Sequence, residues 1–203
     1  MEKTSCLDKR MYELSKLGGV FEILLISIAI FLTPLILPQI LNAVFGATSA
    51  IASNSQYVVG AIINASLIVA GVNVKGWKKI IGIVMLPSIT AMLSGLVFNI
   101  ASIFTVYMIP AIWLGNLAII YLYKKLFIEK KLNYILASIA GILVKGSIIF
   151  AGFSLLTAIN IIPSGSKVAE VLSLGMGMNQ LITATLGSIL AFAILKIVYK
   201  KSE

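Results

Sequence analysis

The stretch IIGIVMLPSITAMLSGLVFNIASIFTVYMIPAIWLGNLAIIYLY, from Ile80 to Tyr123, contains no charged residue. As one helix it would extend roughly 66 Å, against a bilayer core of about 30 Å. A single crossing cannot absorb that length, and a soluble fold cannot hide it. The segment must enter lipid, turn and return. Asn99 to Ser102 is the polar point at which it can turn. Two antiparallel spans follow, about 80–98 and 102–123.

Four more apolar runs flank this pair. Val20 to Pro38 is expected to be the first span, broken near its end by Pro34 and Pro38. Tyr57 to Val74 is the second. The fifth covers about 134–162 and ends at Pro163-Ser164-Gly165, and the sixth covers about 171–199. The chain of 203 residues is 60% hydrophobic and 11% charged, with a mean hydropathy of +1.06. Soluble domains carry about 25% charged residues, so the solvent of this chain is lipid. The fold class is all-α: a polytopic integral membrane helical bundle of about six transmembrane helices, forming a single membrane domain over 1–203. A cleaved signal peptide is the weaker reading of the N-terminus, because the run from Val20 to Leu37 exceeds a usual signal-peptide core.

Charge placement gives the topology. Lys3, Lys9, Arg10 and Lys16 precede the first span. Lys75, Lys78 and Lys79 follow the second, and Lys124, Lys125, Lys130 and Lys131 follow the fourth. Lys196, Lys200 and Lys201 close the chain. The opposite side holds only Lys167, and Lys145 lies within a span. Cytoplasmic loops concentrate Lys and Arg. The expectation is a multi-pass protein of the cytoplasmic (inner) membrane with both termini cytoplasmic. The net charge of +9 is thus a membrane-topology signal. It is scattered over short loops and offers no continuous basic face for nucleic acid.

The sequence is poor in catalytic groups. It has no histidine and one cysteine, Cys6, so neither a disulfide within the chain nor a Cys/His metal site can form. No paired acids fall inside a span and no phosphate-binding glycine loop appears. An enzyme is not expected, nor is a cofactor or a metal.

The informative residues are polar ones inside apolar spans, where they usually face the bundle interior or a cavity. Lys145 lies near the middle of span five. It is either a cation that holds an electron-rich ligand group, such as a carboxylate, or a structural lysine bonded to carbonyls and amides. Glu22, the one acid inside a span, is expected to reach back to the cytoplasmic interface. Asn64, Asn116, Asn179 and Gln180 can each donate and accept, either to a small molecule or between helices. Trp113 is a candidate to stack on a flat ligand, while Tyr107 fits an interfacial belt. Small residues recur every four positions: Ala29 and Thr33, Gly60 and Asn64, and Thr183, Gly187 and Ala191. Such stripes allow close helix packing or docking of another membrane protein. The uncharged segment 42–56 is a lid, a re-entrant segment or an ordinary loop.

Several segments, taken in order, resemble one family. They are Gly60-Ala61-Ile62-Ile63-Asn64 and Leu86-Pro87 with Leu93-Ser94-Gly95. They continue with Met108-Ile109-Pro110, Leu114-Gly115-Asn116, Lys145, and Gln180-Leu181-Ile182-Thr183-Ala184 with Gly187. Together they resemble the substrate-binding S components of energy-coupling-factor (ECF) transporters. The resemblance implies six helices that capture a vitamin-like micronutrient in the outward half, under the loop between spans one and two. It also implies a membrane coupling subunit and two ATPase subunits as partners. The family's span-one contact has two alanines four residues apart, which only Ala29 and Thr33 approximate here. Two other readings stand beside it: a stand-alone carrier or channel, and a non-catalytic membrane subunit that stabilises another complex. A closed polar pocket favours the first reading, a continuous water path the second, and a dry bundle the third.

Overall fold

In lipid, every backbone N–H and C=O must find its partner within the protein, and a helix does this locally. The described parts of the apolar runs are accordingly mostly helical. The structure, a computed structural model, describes residues 20–46, 48–94 and 102–200. Its helices are α1 (Val20–Phe45), α2 (Ala50–Ser53), α3 (Ser55–Asn73), α4 (Trp77–Ser94), α5 (Ser102–Leu122), α6 (Tyr134–Ala158), α7 (Lys167–Met176) and α8 (Met178–Lys200). A π-helical segment, Tyr123–Glu129, extends α5. Among the described residues, five stretches are long and apolar enough to cross a membrane: Ile23–Phe45, Ser55–Asn73, Phe104–Glu129, Tyr134–Ala158 and Lys167–Ile197. Helix α4 contributes 18 further residues to the bundle. Residues 95–98 of the expected third span and 99–101 of the expected turn lie outside the described residues, as do Lys3, Lys9, Arg10, Lys16 and Lys201. The side chains of Glu22 and Lys200 do too.

Several expected boundaries are corrected. Helix α1 does not break at Pro34 and Pro38 but runs through both to Phe45. Each proline removes one N–H, yet a broken backbone in lipid would expose far more. The segment 42–56 includes the last turn of α1, the short α2 and the start of α3. Helix α6 ends at Ala158 rather than near 162, where Asn160 takes a positive φ of 61°. The last apolar run is divided at Gly177 into a short α7 and a long α8. Helix α7 is amphipathic: Leu172 and Met176 are buried while Glu170, Val171 and Leu174 are exposed.

Helix α3 is central and packs on α1, α4, α5 and α8. Its contact with α8 is the most extensive in the bundle, and the small-residue stripes explain why. A Cβ on Gly187 would collide with Asn64 Cβ and come within 2.8 Å of the Ala61 carbonyl oxygen. A Cβ on Gly60 would meet Thr183 Cγ2 at 2.7 Å. The stripes of α3 and α8 therefore face each other and bring the two backbones together.

One end of the bundle is basic. Lys124 donates to the Val74 carbonyl at 2.7 Å and lies 5.9 Å from the centre of the Trp77 ring. The same end is filled by Tyr123, Phe127, Tyr134 and Phe192, with adjacent ring centres 5.1 to 5.6 Å apart. Tyr123 donates to Ser138 at 2.7 Å and meets the Ser188 hydroxyl at 2.8 Å. Tyr134 donates to the Ser188 carbonyl at 2.7 Å. These bonds tie α5, α6 and α8 together and leave the hydroxyls of this layer partnered.

Candidate functional site

Away from the basic end the bundle holds a cavity of about 170 Å³. Helix α1 lines it with Pro34 and Pro38, α4 with Pro87, Ser88, Ala91 and Met92, and α5 with Thr105, Ile109, Ile112 and Asn116. Ser55, Gln56, Tyr57, Val59, Gly60, Ile63 and Asn64 come from α3. Lys145 of α6, Gly175 and Met176 of α7, and Asn179, Gln180 and Thr183 of α8 complete the wall. The lining thus runs from the start of α3 down to mid-span and stops there. Leu67, Ile68, Ile119, Ile120 and Tyr123, which follow toward the basic end, are fully buried core.

Lys145 lies near the midpoint of α6 and is 3% exposed. Its Nζ donates to Asn64 Oδ1 at 2.5 Å. Asn64 is itself held firmly. Its Nδ2 donates to the Gly60 carbonyl at 2.8 Å and to Thr183 Oγ1 at 3.3 Å. Thr183 in turn donates to the Asn179 carbonyl at 2.8 Å. The Asn64 amide is therefore oriented with its oxygen toward the lysine. The bond crosses between α3 and α6, which share little other surface.

An ammonium has three N–H donors, and Asn64 takes one. Among the described residues the carboxylates with placed side chains are Glu129 and Glu170, and neither lines the cavity. Two helix starts add to the local potential. Ser55 and Gln56 at the start of α3, and Asn179 and Gln180 in the first turn of α8, lie in the lining, and helix N-termini carry partial positive charge. Lys145 is the one basic side chain in the lining, and the walls are mostly apolar.

The structure brings together five of the six residues singled out as ligand contacts: Lys145, Asn64, Asn116, Asn179 and Gln180. Asn116 is 2% exposed and lines the cavity on α5. Asn179 Oδ1 accepts from the Tyr57 hydroxyl at 2.9 Å, and Gln180 Nε2 donates to the Gly175 carbonyl at 3.2 Å. These last two bonds join α3, α7 and α8 around the rim.

Trp113 is not in the lining, which corrects its expected role. The cavity stripe on α5 is Thr105, Ile109, Ile112 and Asn116, spaced three or four residues apart. Trp113 follows Ile112 by one residue, about 100° further round the helix, and packs against the main core. Its indole Nε1 is buried without a partner. Tyr107 faces outward and is 51% exposed, as an interfacial aromatic would be.

No known protein family, curated protein or solved structure matches this chain. Geometry and chemistry therefore carry the functional reading.

Sequence reasoning missed Ser88 and Tyr57. Ser88 is 6% exposed, and its hydroxyl is buried with no partner. A serine inside a membrane helix usually bonds its own helix's carbonyl four residues back, so nothing in its residue type marked it. The neighbouring Pro87 was the available signal, because a proline in a span marks a distorted wall. The docking candidates Ala29 and Thr33 are half-buried on α1, and Thr33 Oγ1 donates to the Ala29 carbonyl at 2.6 Å. That hydroxyl is occupied within its own helix.

Proposed function

We propose that this chain is the substrate-capture subunit of an ATP-driven importer of a vitamin-like micronutrient. In this reading it lies in the cytoplasmic membrane with both termini inside. It binds a small molecule from the outer side, and a membrane coupling subunit with two ATPase subunits drives release inward.

The observation that carries this reading is the one-sided cavity around Lys145, with mostly apolar walls and a few polar groups. It lies in the half of the bundle away from the lysine-rich end and stops at mid-span. A channel needs a water path through both halves. Here the other half is packed with aromatic rings and partnered hydroxyls. A lysine in a membrane helix costs about 2.5 to 3.5 kcal/mol on insertion scales, and the bond Lys145 makes to Asn64 uses one of its three donors. A capture subunit needs what the bundle contains: a closed floor, a charged reader and a wall of several helices.

Affinity purification from native-host membranes in a mild detergent tests the importer. A photo-crosslinker at Ile28 or Leu32, on the exposed face of α1 beside Ala29 and Thr33, should capture a membrane coupling subunit. The two ATPase subunits should accompany it. Recovery of the chain with no such subunits, at normal expression and folding, would overturn the importer reading.

A further inference from the structure

Lys145, Ser88 and Asn116 come from three different helices and face one cavity. Each is more than nine-tenths buried: 3%, 6% and 2% exposed respectively. Lys145 and Ser88 have unused hydrogen-bonding capacity. Lys145 spends one of its donors on Asn64, the Ser88 hydroxyl has no partner, and Asn116 brings an amide that can donate and accept to the same wall. Leaving a buried polar group unsatisfied costs on the order of 1–3 kcal/mol, and more when it is charged. Two such groups on the wall of a single space leave room for a ligand to complete them.

We propose that the ligand is a small organic monoanion, a carboxylate of roughly one ring's bulk, held by Lys145 with Ser88 and Asn116 completing its oxygen contacts. The inference rests on the capture reading above. A carboxylate is acceptor-only, with about four lone-pair sites, so it matches a site that has one cation, spare donors and no lining acid. The helix starts of α3 and α8 favour the same sign. An amine would meet Lys145 as a like charge. A neutral apolar guest would leave Lys145 and Ser88 as unsatisfied as before. A dianion would find only one side-chain cation in the lining. Size follows from the volume of about 170 Å³, since a protein cavity of about 150 Å³ accepts a benzene ring. Ile63, Ile109 and Ile112 supply apolar wall for the body of the molecule.

Benzoate, benzamide and benzylamine share shape and differ in charge, so they test this directly. Binding of each to the full chain in lipid nanodiscs would be measured by calorimetry. Benzoate should bind at least about ten-fold tighter than benzamide, because a charge-assisted bond replaces a neutral one. Benzylamine should be weaker than both. Lys145→Met should abolish the preference for benzoate, and Ser88→Ala should weaken benzoate several-fold. Circular dichroism and gel filtration would report whether the variants fold. If Lys145→Met does not fold, the ratio in the parent protein still decides. Benzamide or benzylamine binding as tightly as benzoate, or no binding by any of the three, overturns the proposal. So does a folded Lys145→Met that keeps the preference. A chain that recruits coupling and ATPase subunits yet prefers benzamide would lose the ligand class alone. Benzoate selectivity without those subunits would remove the importer alone.

Discussion

Lys145 and Asn64 form the hinge of the site, and their coupling is measurable without any ligand. The Asn64 amide is committed through Gly60, Thr183 and Lys145. Asn64→Ala removes the lysine's one partner while keeping the Cβ that packs on Gly187. It should cost roughly 2 to 4 kcal/mol, because a buried cation loses its acceptor. In a Lys145→Met background the same change should cost less, with a coupling energy of about 1–3 kcal/mol. Chemical denaturation in mixed micelles would supply the four stabilities. Strictly additive costs would mean that the bond contributes nothing and that the lysine is satisfied elsewhere. At this scale the sequence was a good guide. A lysine or an amide in an apolar run is conspicuous because lipid makes it costly, and five such residues do line the cavity. Ser88 escaped notice because serine is cheap in a membrane helix. Trp113 misled because one residue of rotation separates a lining position from a core position.

Among the elements, the crossing of α3 and α8 holds the floor of the cavity in place. Gly187 meets backbone atoms of α3, not the flexible end of a side chain, so the neighbour cannot yield. Gly187→Ala should therefore destabilise the bundle by about 1–3 kcal/mol or more, as overpacked cores do. It should also displace Asn64 and weaken whatever Lys145 holds. Gly82 is the internal control. It lies within α4, and a Cβ there would meet nothing within 4 Å. Gly82→Ala should leave the unfolding temperature unchanged or slightly raised. Equal losses from both substitutions would contradict the close crossing. The same pair shows where sequence reading of elements succeeds and fails. The small-residue stripes were visible at four-residue spacing, but which helices they joined was not, because spacing names a face and not its partner. Helix existence was legible from apolar length. Helix ends were not, since lipid favours a continuous backbone through Pro34 and Pro38, while the break at Gly177 interrupts an unbroken apolar run.

Orientation in the membrane belongs to the whole molecule, and it decides whether the cavity receives its ligand from outside. Lys75, Lys78, Lys79, Lys124, Lys125, Lys130, Lys131 and Lys196 belong to one end of the bundle, while Lys167 starts α7 at the other. The bond from Lys124 to the Val74 carbonyl shows directly that the ends of α3 and α5 share a layer. Basic residues near span ends are retained on the cytoplasmic side, so the cavity end should face outward. Replacing Cys6 by serine leaves a chain without cysteine, into which single probes can be placed. Ser164 and Lys130 are both exposed, at opposite ends. In intact cells a membrane-impermeant maleimide should label Ser164→Cys and spare Lys130→Cys until the membrane is opened. Labelling of Lys130→Cys alone would invert the molecule. The cavity would then open to the cytoplasm, and capture from outside would be ruled out even though every contact around Lys145 stayed the same. Equal labelling at both sites in intact cells would indicate mixed insertion, which a charge asymmetry of this size should prevent.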